Sequence, residues 1–214
     1  FDKSDFNQID NLYLPKTQER LEEFNQQQDQ IDVHSTLFTL KSGEKISLSD
    51  IAIQTAEFIN PANKKDLCIS HGDLCFSNIL FDARVENIKC IDPRGISPFG
   101  DLTLYGDQRY DLAKLYHSVV GFYDFIIANR FDLKITANNQ YILNFSCDQT
   151  LNIQIIDIFR SNVLNKLDYS EQEILAITIH LFLSMLPLHN DQKTHQKAFI
   201  ANSIRLYENL YGII

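Results

Sequence analysis

The sequence has few features of an exported or membrane protein. Its four cysteines show no C-x-x-C spacing, so neither a zinc ribbon nor a thioredoxin-type redox site is predicted, and buried thiols in a reducing cytosol are the simpler interpretation. Residues 1–10 contain no basic segment followed by an apolar one, and we therefore expect no signal peptide. The longest apolar stretch, 174–188, is interrupted by polar side chains, so we expect no membrane span and predict a cytoplasmic location.

An excess of positive charge is also lacking. Nineteen Lys and Arg residues stand against 28 Asp and Glu residues, for a net charge of −9, whereas proteins that bind nucleic acid through its phosphates need clustered basic side chains. We therefore expect a small molecule as the partner, with no nucleic acid and no membrane; the acidic balance favours a cationic one, and oligomeric state stays open. With 44% hydrophobic and 22% charged residues, the composition is that of a globular protein.

Hydrophobic periodicity predicts a mainly helical α+β fold. One long helix is predicted over 108–130, and a capping box at Ser170–Glu173 predicts the start of another that ends at Pro187. The remaining helices are predicted over 16–24, 49–58, 151–167 and 191–211. The predicted strands are 67–70, a hairpin formed by 79–82 and 87–92, and a second hairpin within 134–145 that turns at Asn138-Asn139.

The residues suited to chemistry lie between Ser70 and Gly95. A loop aspartate, Asp73, is followed five residues later by Asn78, and Asp92 comes at the end of the predicted hairpin. A hairpin returns its last residue to the edge where it began, so we expect these three side chains to lie together. One carboxylate and one amide oxygen suit Mg²⁺ bound with nucleotide phosphates, which leaves Asp73 to orient an alcohol or accept its proton.

These residues resemble the aminoglycoside phosphotransferase and choline kinase superfamily, whose loop is written H-G-D-x-x-x-x-N and whose metal-binding aspartate follows at an I-D strand end. The matching positions here are His71, Gly72, Asp73, Asn78 and Asp92. The resemblance implies that Asp73 is the catalytic residue and that Asn78 and Asp92 are metal ligands. It also implies that His71 and Gly72 shape the catalytic loop.

Two further segments are similar to the family. The run from Gly106 to Ala113 matches its G-D-x-x-x-D-L-A pattern, which implies that Asp111 braces the catalytic loop. Lys16–Leu21 resembles the first helix of the family's C-terminal lobe. Arg94, two residues after Asp92, is a candidate phosphate contact. The resemblance extends from about Pro15 to the C-terminus and is strongest between residues 70 and 113.

The implied architecture is the C-terminal lobe of a protein-kinase-like fold, with short β-hairpins at the catalytic loop, over residues 1–214. The sequence has no G-x-G-x-x-G, P-loop or V-A-I-K segment, so we expect the N-terminal nucleotide lobe not to be present in this chain. The implied activity is transfer of a phosphoryl group from ATP, with Mg²⁺, to a choline-like amino alcohol, an aminoglycoside or a sugar. Candidate substrate-binding residues on the later helices are His117, Tyr123, Asp124 and Glu208.

Two alternatives remain open. The chain could be a degenerate kinase lobe that acts as a binding module, or as one domain of a larger protein of cell-surface-sugar biosynthesis. It could also be a metal-dependent phosphohydrolase that uses His71, Asp73 and Asp92. The second alternative leaves Asn78 and the D-L-A segment without a role.

Overall fold

The computed structural model describes residues 12–27, 30–97 and 100–213, which form helices and four small two-stranded antiparallel sheets. The helices are α1 (Leu14–Gln26), α2 (Leu48–Ala56), α3 (Gln108–Val119), α4 (Tyr123–Ile127), α5 (Gln149–Phe159), α6 (Asn165–Leu167), α7 (Glu171–Ser184) and α8 (Lys193–Tyr211). The strands are β1 (Phe38–Thr39), β2 (Lys45–Ile46), β3 (Leu67–Ile69), β4 (Ile79–Asp82), β5 (Asn87–Cys90), β6 (Tyr105–Asp107), β7 (Phe131–Ile135) and β8 (Tyr141–Phe145). The predicted mainly helical α+β class is confirmed at this level.

Helix α7 is the centre of the core. Its sequence is apolar on all sides, which is the pattern of a helix surrounded by protein, and residues 173–183 are buried. It packs against α1, α2, α3 and α8. Neither α7 nor any other helix within the described residues is long and apolar enough to cross a membrane.

Most of the predicted elements are present. The helices expected over 16–24, 49–58 and 191–211 appear as α1, α2 and α8, with ends moved by a few residues. The helix expected over 151–167 consists of α5, a π-helical turn at Arg160–Leu164, and α6. Both predicted hairpins form, as β4–β5 and β7–β8. Strand β3 pairs with β6, a partner that periodicity did not predict.

The prediction of one continuous helix over 108–130 is wrong. Helix α3 ends at Val119, and α4 begins only at Tyr123. Phe122 has a φ of 54°, in the left-handed region, which ends the regular helix. A Cβ on Gly121 would lie 2.4 Å from the carbonyl oxygen of His117, so the close approach of the chain at this break requires glycine.

The capping box predicted at Ser170–Glu173 does not form, because the Ser170 side chain makes no capping hydrogen bond. Glu173 is instead buried, and its carboxylate accepts hydrogen bonds from Arg109 at 2.8 Å and from the backbone N–H of Asn60 at 3.1 Å. An ion pair in the interior therefore replaces the local cap. A capping box does form at the start of α2, between Ser47 and Asp50.

A buried ionic network joins β6 and α3 to the core. Arg109 is 1% exposed, and its guanidinium donates to Asp107 at 2.8 Å, to Glu173 at 2.8 Å and to the carbonyl oxygen of Asn60 at 2.7 Å. The Tyr13 hydroxyl donates to Asp107 from the start of α1. Buried charges are tolerated when each has such partners, so this network fixes the start of α3 relative to α1 and α7.

Replacing Arg109 with Met should lower the free energy of unfolding by about 3–5 kcal/mol, because Asp107 and Glu173 would remain buried without their cation. Methionine retains much of the buried volume, so the loss reports charge more than packing. Urea denaturation followed by circular dichroism measures it. Arg84→Met, in the exposed turn between β4 and β5, is the matched control and should change stability by about 0.5 kcal/mol or less. Equal effects of the two substitutions would contradict the stabilising role of the network.

Candidate active site

The loop that follows β3 is held by one carboxylate. Asp111, in the first turn of α3, accepts hydrogen bonds from the backbone N–H groups of His71 at 2.7 Å and Gly72 at 2.8 Å. It also accepts from the Ser70 hydroxyl at 2.9 Å. Two of the loop's backbone donors are thereby satisfied by a helix that is itself anchored in the core, so the loop has a fixed position.

His71 and Gly72 give the loop its shape. The His71 ring spans the loop: Nδ1 accepts from the N–H of Asp73 at 3.3 Å, and Nε2 lies 2.9 Å from the carbonyl oxygen of Ile91. Gly72 has a φ of 75°, and a Cβ there would lie 2.9 Å from Cβ of Arg94, so this position requires glycine. Both residues therefore shape the backbone of the loop.

The carboxylate of Asp73 has two neighbours that fix its orientation and charge. Lys114 Nζ lies 2.9 Å from Oδ1, and Asn78 Nδ2 donates to Oδ2 at 3.2 Å and to the carbonyl oxygen of Asp73 at 2.8 Å. Burial acts to raise the pKa of this carboxyl, but the positive charges of Lys114 and Arg94 outweigh it, so the pKa is below its usual value. Asp73 is therefore an oriented, ionised acceptor.

Asn78 and Asp92 lie on adjoining segments of the β4–β5 ribbon. The N–H of Ile91 donates to the carbonyl oxygen of Asn78 at 3.0 Å, and Asp92 follows, exposed, with a φ of 57°. Both Nδ2 hydrogen bonds of Asn78 go to Asp73, which leaves its Oδ1 for a ligand. Mg²⁺ commonly takes one or two protein oxygens and completes its shell with phosphates and water, and the side-chain oxygens of Asn78 and Asp92 are donors of the type that it prefers.

A cleft of about 370 Å³ opens beside the loop. Its polar floor includes Asp73 and Asn78, whereas Asp92 is not among the residues that line it. The structure therefore brings Asp73 and Asn78 together in one cavity, whereas the expectation that Asp92 joins them there is not met. Basic side chains also line the cleft, namely Lys16, Arg20, Arg94 and Lys114. Apolar and aromatic side chains complete it, chiefly Tyr110, Tyr123, Leu181, Met185 and Leu188.

Of the four predicted substrate-binding residues, Tyr123 lines the cleft and His117 does not. The His117 side chain is fully buried, with its ring 4.2 Å from the Tyr123 ring and 4.5 Å from the Phe182 ring between centroids. Burial, and then the charge of Lys114, hold the pKa of His117 well below its usual value. The prediction for His117 is corrected: it is a neutral core residue behind the cleft wall.

Asp124 and Glu208 also lie outside the cleft. Asp124 is half-buried in the first turn of α4. Glu208 is buried on α8, where it accepts a hydrogen bond from the N–H of Lys41 at 2.7 Å, and it lines a separate cavity of about 450 Å³. The helix faces that carry them are turned toward other parts of the fold.

Sequence reasoning missed the basic residues Lys114 and Lys16. Lys114 lies three residues after Asp111 on α3, a spacing that places both side chains on one helix face. This spacing could have indicated that Lys114 accompanies the loop. No comparable signal was available for Lys16, because α1 is far from the loop in the chain and its position comes from packing against distant elements such as α7.

Comparison with known proteins finds no matching family model, no similar curated protein and no similar solved structure. The chemistry of the site is therefore inferred from its own side chains and from the motif residues.

Replacing Asp111 with Ala should release the loop. The N–H groups of His71 and Gly72 would lose their acceptor, so their amide hydrogen exchange in native conditions should accelerate at least about tenfold. Exchange measured by NMR tests this expectation, with Asp132→Ala on exposed β7 as the control. Unchanged protection at residues 71 and 72 would show that Asp111 does not hold the loop.

Replacing Lys114 with Gln should raise the pKa of Asp73, since burial would then be less opposed. In the native protein, the depressed pKa means that the pair stabilises the fold above the pKa of an unfolded aspartate, and this contribution is lost as the pH falls through the lowered value. Carboxyl ¹³C NMR titration measures the shift. Lys134→Gln, on the exposed face of β7, should leave it unchanged. An unmoved pKa in Lys114→Gln would refute the electrostatic role of Lys114.

Proposed function

We propose that this protein is an ATP-dependent phosphotransferase that phosphorylates a hydroxyl group of a small molecule. The acceptor classes that fit the motif are choline-like amino alcohols, aminoglycosides and sugars. The observation that supports the proposal best is the Asp73 carboxylate, which is ionised, partly exposed at the floor of a cleft, and oriented by Asn78 and Lys114. A carboxylate held in this way can orient an alcohol by accepting its hydrogen bond.

In the proposed reaction, Asp73 binds the acceptor hydroxyl and takes its proton as the hydroxyl oxygen gains the phosphoryl group and ADP leaves. Asn78 Nδ2 keeps Oδ2 of Asp73 in place. Lys114 and Arg94 are the cations beside Asp73, and their charge suits the negative charge on a transferring phosphoryl group. Positioning and electrostatics are the main contributions that phosphoryl transfer asks of a protein.

The proposal includes a metal site at the edge of the cleft. Asn78 Oδ1 and the Asp92 carboxylate would hold Mg²⁺, and a bound ion would neutralise the charge of the nucleotide phosphates. Within the described residues no group of three or more His, Cys, Asp or Glu side chains could hold a metal by itself. The expected affinity for Mg²⁺ alone is therefore low, and phosphate oxygens must complete the site.

The phosphohydrolase alternative is disfavoured by the engagement of His71. Both ring nitrogens of His71 have protein partners, one with the N–H of Asp73 and one with the carbonyl oxygen of Ile91. A metal ligand or general base needs a free ring nitrogen. His71 would have to leave the loop scaffold before it could serve either purpose.

A second candidate function, a binding module built on a degenerate kinase lobe, is favoured by the exposed apolar face of the hairpins. Ile69 is 73% exposed and Leu104 67% exposed, and Phe81 and Ile88, which are paired across the β4–β5 ribbon, are exposed as well. Such faces often mark contact surfaces. Calorimetric titration of the intact gene product with ATP and Mg²⁺ separates the two functions, because a binding module without nucleotide chemistry would give no heat.

Replacing Asp73 with Asn should reduce turnover at least about 100-fold, because the amide cannot accept the hydroxyl proton. Lys114 is buried and the Asp73 side chain is 33% exposed, so the loss of this ion pair should cost between about 1 kcal/mol, as for a surface pair, and about 3 kcal/mol, as for a buried one. The Tm should therefore fall by less than about 12 °C. Transfer of labelled phosphate from ATP to a panel of alcohols, with the intact gene product, measures turnover. Asp132→Asn should retain full activity. Unaltered turnover in Asp73→Asn would refute the assignment.

A further inference from the structure

The sign of charge in the cleft is opposite to that of the whole chain. Four basic side chains, Lys16, Arg20, Arg94 and Lys114, line the cleft, and Asp73 is the single acidic residue among the described residues that do so. The chain as a whole has a net charge of −9. A cleft with an excess of one sign concentrates ligands of the other sign, because its low-dielectric walls focus the field.

The four cations differ in how far they are neutralised. Lys114 pairs with Asp73 at 2.9 Å, and Arg20 on α1 pairs with Glu23 at 2.6 Å. Arg94 Nη1 donates to the Tyr110 hydroxyl at 3.2 Å, and the carboxylates of Asp73 and Asp111 attract the guanidinium without forming a direct ion pair among the described residues. For Lys16, no carboxylate of the described residues lies within 4.0 Å of Nζ, which leaves its charge available to a ligand.

The pKa values of Tyr110 and Lys16 reflect the same excess of positive charge in the cleft. Tyr110 is 7% exposed, and burial alone would raise the pKa of its hydroxyl. The charges of Lys114 and Arg94 outweigh burial, so the pKa of Tyr110 is lowered. Burial lowers the pKa of the Lys16 ammonium; Tyr110 opposes this effect, and the charges of Arg94 and Arg20 add to it. An anion bound among these groups would relieve that repulsion.

We propose that the acceptor carries, besides its reacting hydroxyl, an anionic phosphate or carboxylate group that binds to Lys16, beside the Arg20–Glu23 pair. The inference rests on the proposed function, because it places the hydroxyl at Asp73. Lys16 and Arg20 are four residues apart on α1, so they share one helix face, and neither lies within 4.0 Å of the Asp73 carboxylate. The two groups therefore bind at different places in the cleft. The proposed anionic group differs from the cationic substrate that the composition favours, because its charge has the opposite sign.

The apolar side chains suit the carbon skeleton between these two groups. Tyr123, Leu181 and Met185 line the cleft, and an aromatic ring with aliphatic neighbours packs well against the C–H face of a sugar or a short carbon chain. At about 370 Å³, the cleft is in the size range of small-molecule sites. A phosphorylated sugar or a uronic acid combines the three required features: a hydroxyl, an anion and a compact skeleton.

Calorimetric titration of the protein without ATP tests the inference. Glucose 6-phosphate and glucuronate represent the two anions, glucose the neutral case and choline the cationic case. At least one anion should bind at least about tenfold more tightly than glucose and choline. Lys16→Gln should weaken that binding at least about tenfold, and Lys16→Arg should restore most of it. Lys134→Gln, which removes an exposed lysine outside the cleft, should leave it unchanged.

Three results would overturn the inference: tighter binding of choline or glucose than of both anions, no binding of either anion at 10 mM, or equal losses in Lys16→Gln and Lys134→Gln. Titration with ATP and Mg²⁺ separates the nucleotide from the acceptor as the source of the anion. If Lys16→Gln weakens nucleotide binding and spares the sugar anion, Lys16 belongs to the nucleotide site and the inference fails. These titrations need no turnover, so inactivity that refutes the phosphotransferase is distinguishable from failure to bind an anion.

Discussion

The candidate site depends on the hydrogen bonds that the carboxylate of Asp111 accepts from the backbone N–H groups of the loop after β3. A loop that leaves a three-residue strand has little packing of its own, and most of β3 and its surroundings are exposed or half-buried. By taking the N–H groups of His71 and Gly72, one carboxylate transfers the rigidity of α3 to the loop. The position of Asp73 then follows from covalent geometry, since it is the next residue.

Helix α3 connects that loop to the core. Near its start, Arg109 joins it to the buried carboxylates of Asp107 and Glu173; in the same turn, Asp111 holds the loop; and one turn later Lys114 reaches Asp73. These side chains are spaced two or three residues apart, so a single short helix distributes them between core and cleft. The stability of the core and the geometry of the cleft are therefore coupled through α3.

Local sequence could predict much of this arrangement. The hairpins β4–β5 and β7–β8 were predictable because their strands are adjacent in the chain and their turns are short. The motif singled out Asp73, Asn78 and Asp111 as candidate residues of the site and its loop. The features that the sequence could not predict are those that depend on contacts between residues far apart in the chain. The β3–β6 pair and the ion pair of Glu173 with Arg109, which replaces the predicted capping box, depend on groups distant in sequence. The burial of His117 and Glu208 follows from such packing.

The charge of the cleft is the clearest example of a property that the sequence alone could not predict. Net charge is an average over the surface, and it carries no information on which side chains meet in a concave region. Lys16 comes from α1, Arg94 from the segment after β5, and Lys114 from α3, so the approach of these three cations to one another is a product of the fold. Bringing several cations together is unfavourable unless an anion balances them. Asp73 balances one of them in this cleft, and the rest of the positive charge is what gives the cleft its preference for an anionic ligand.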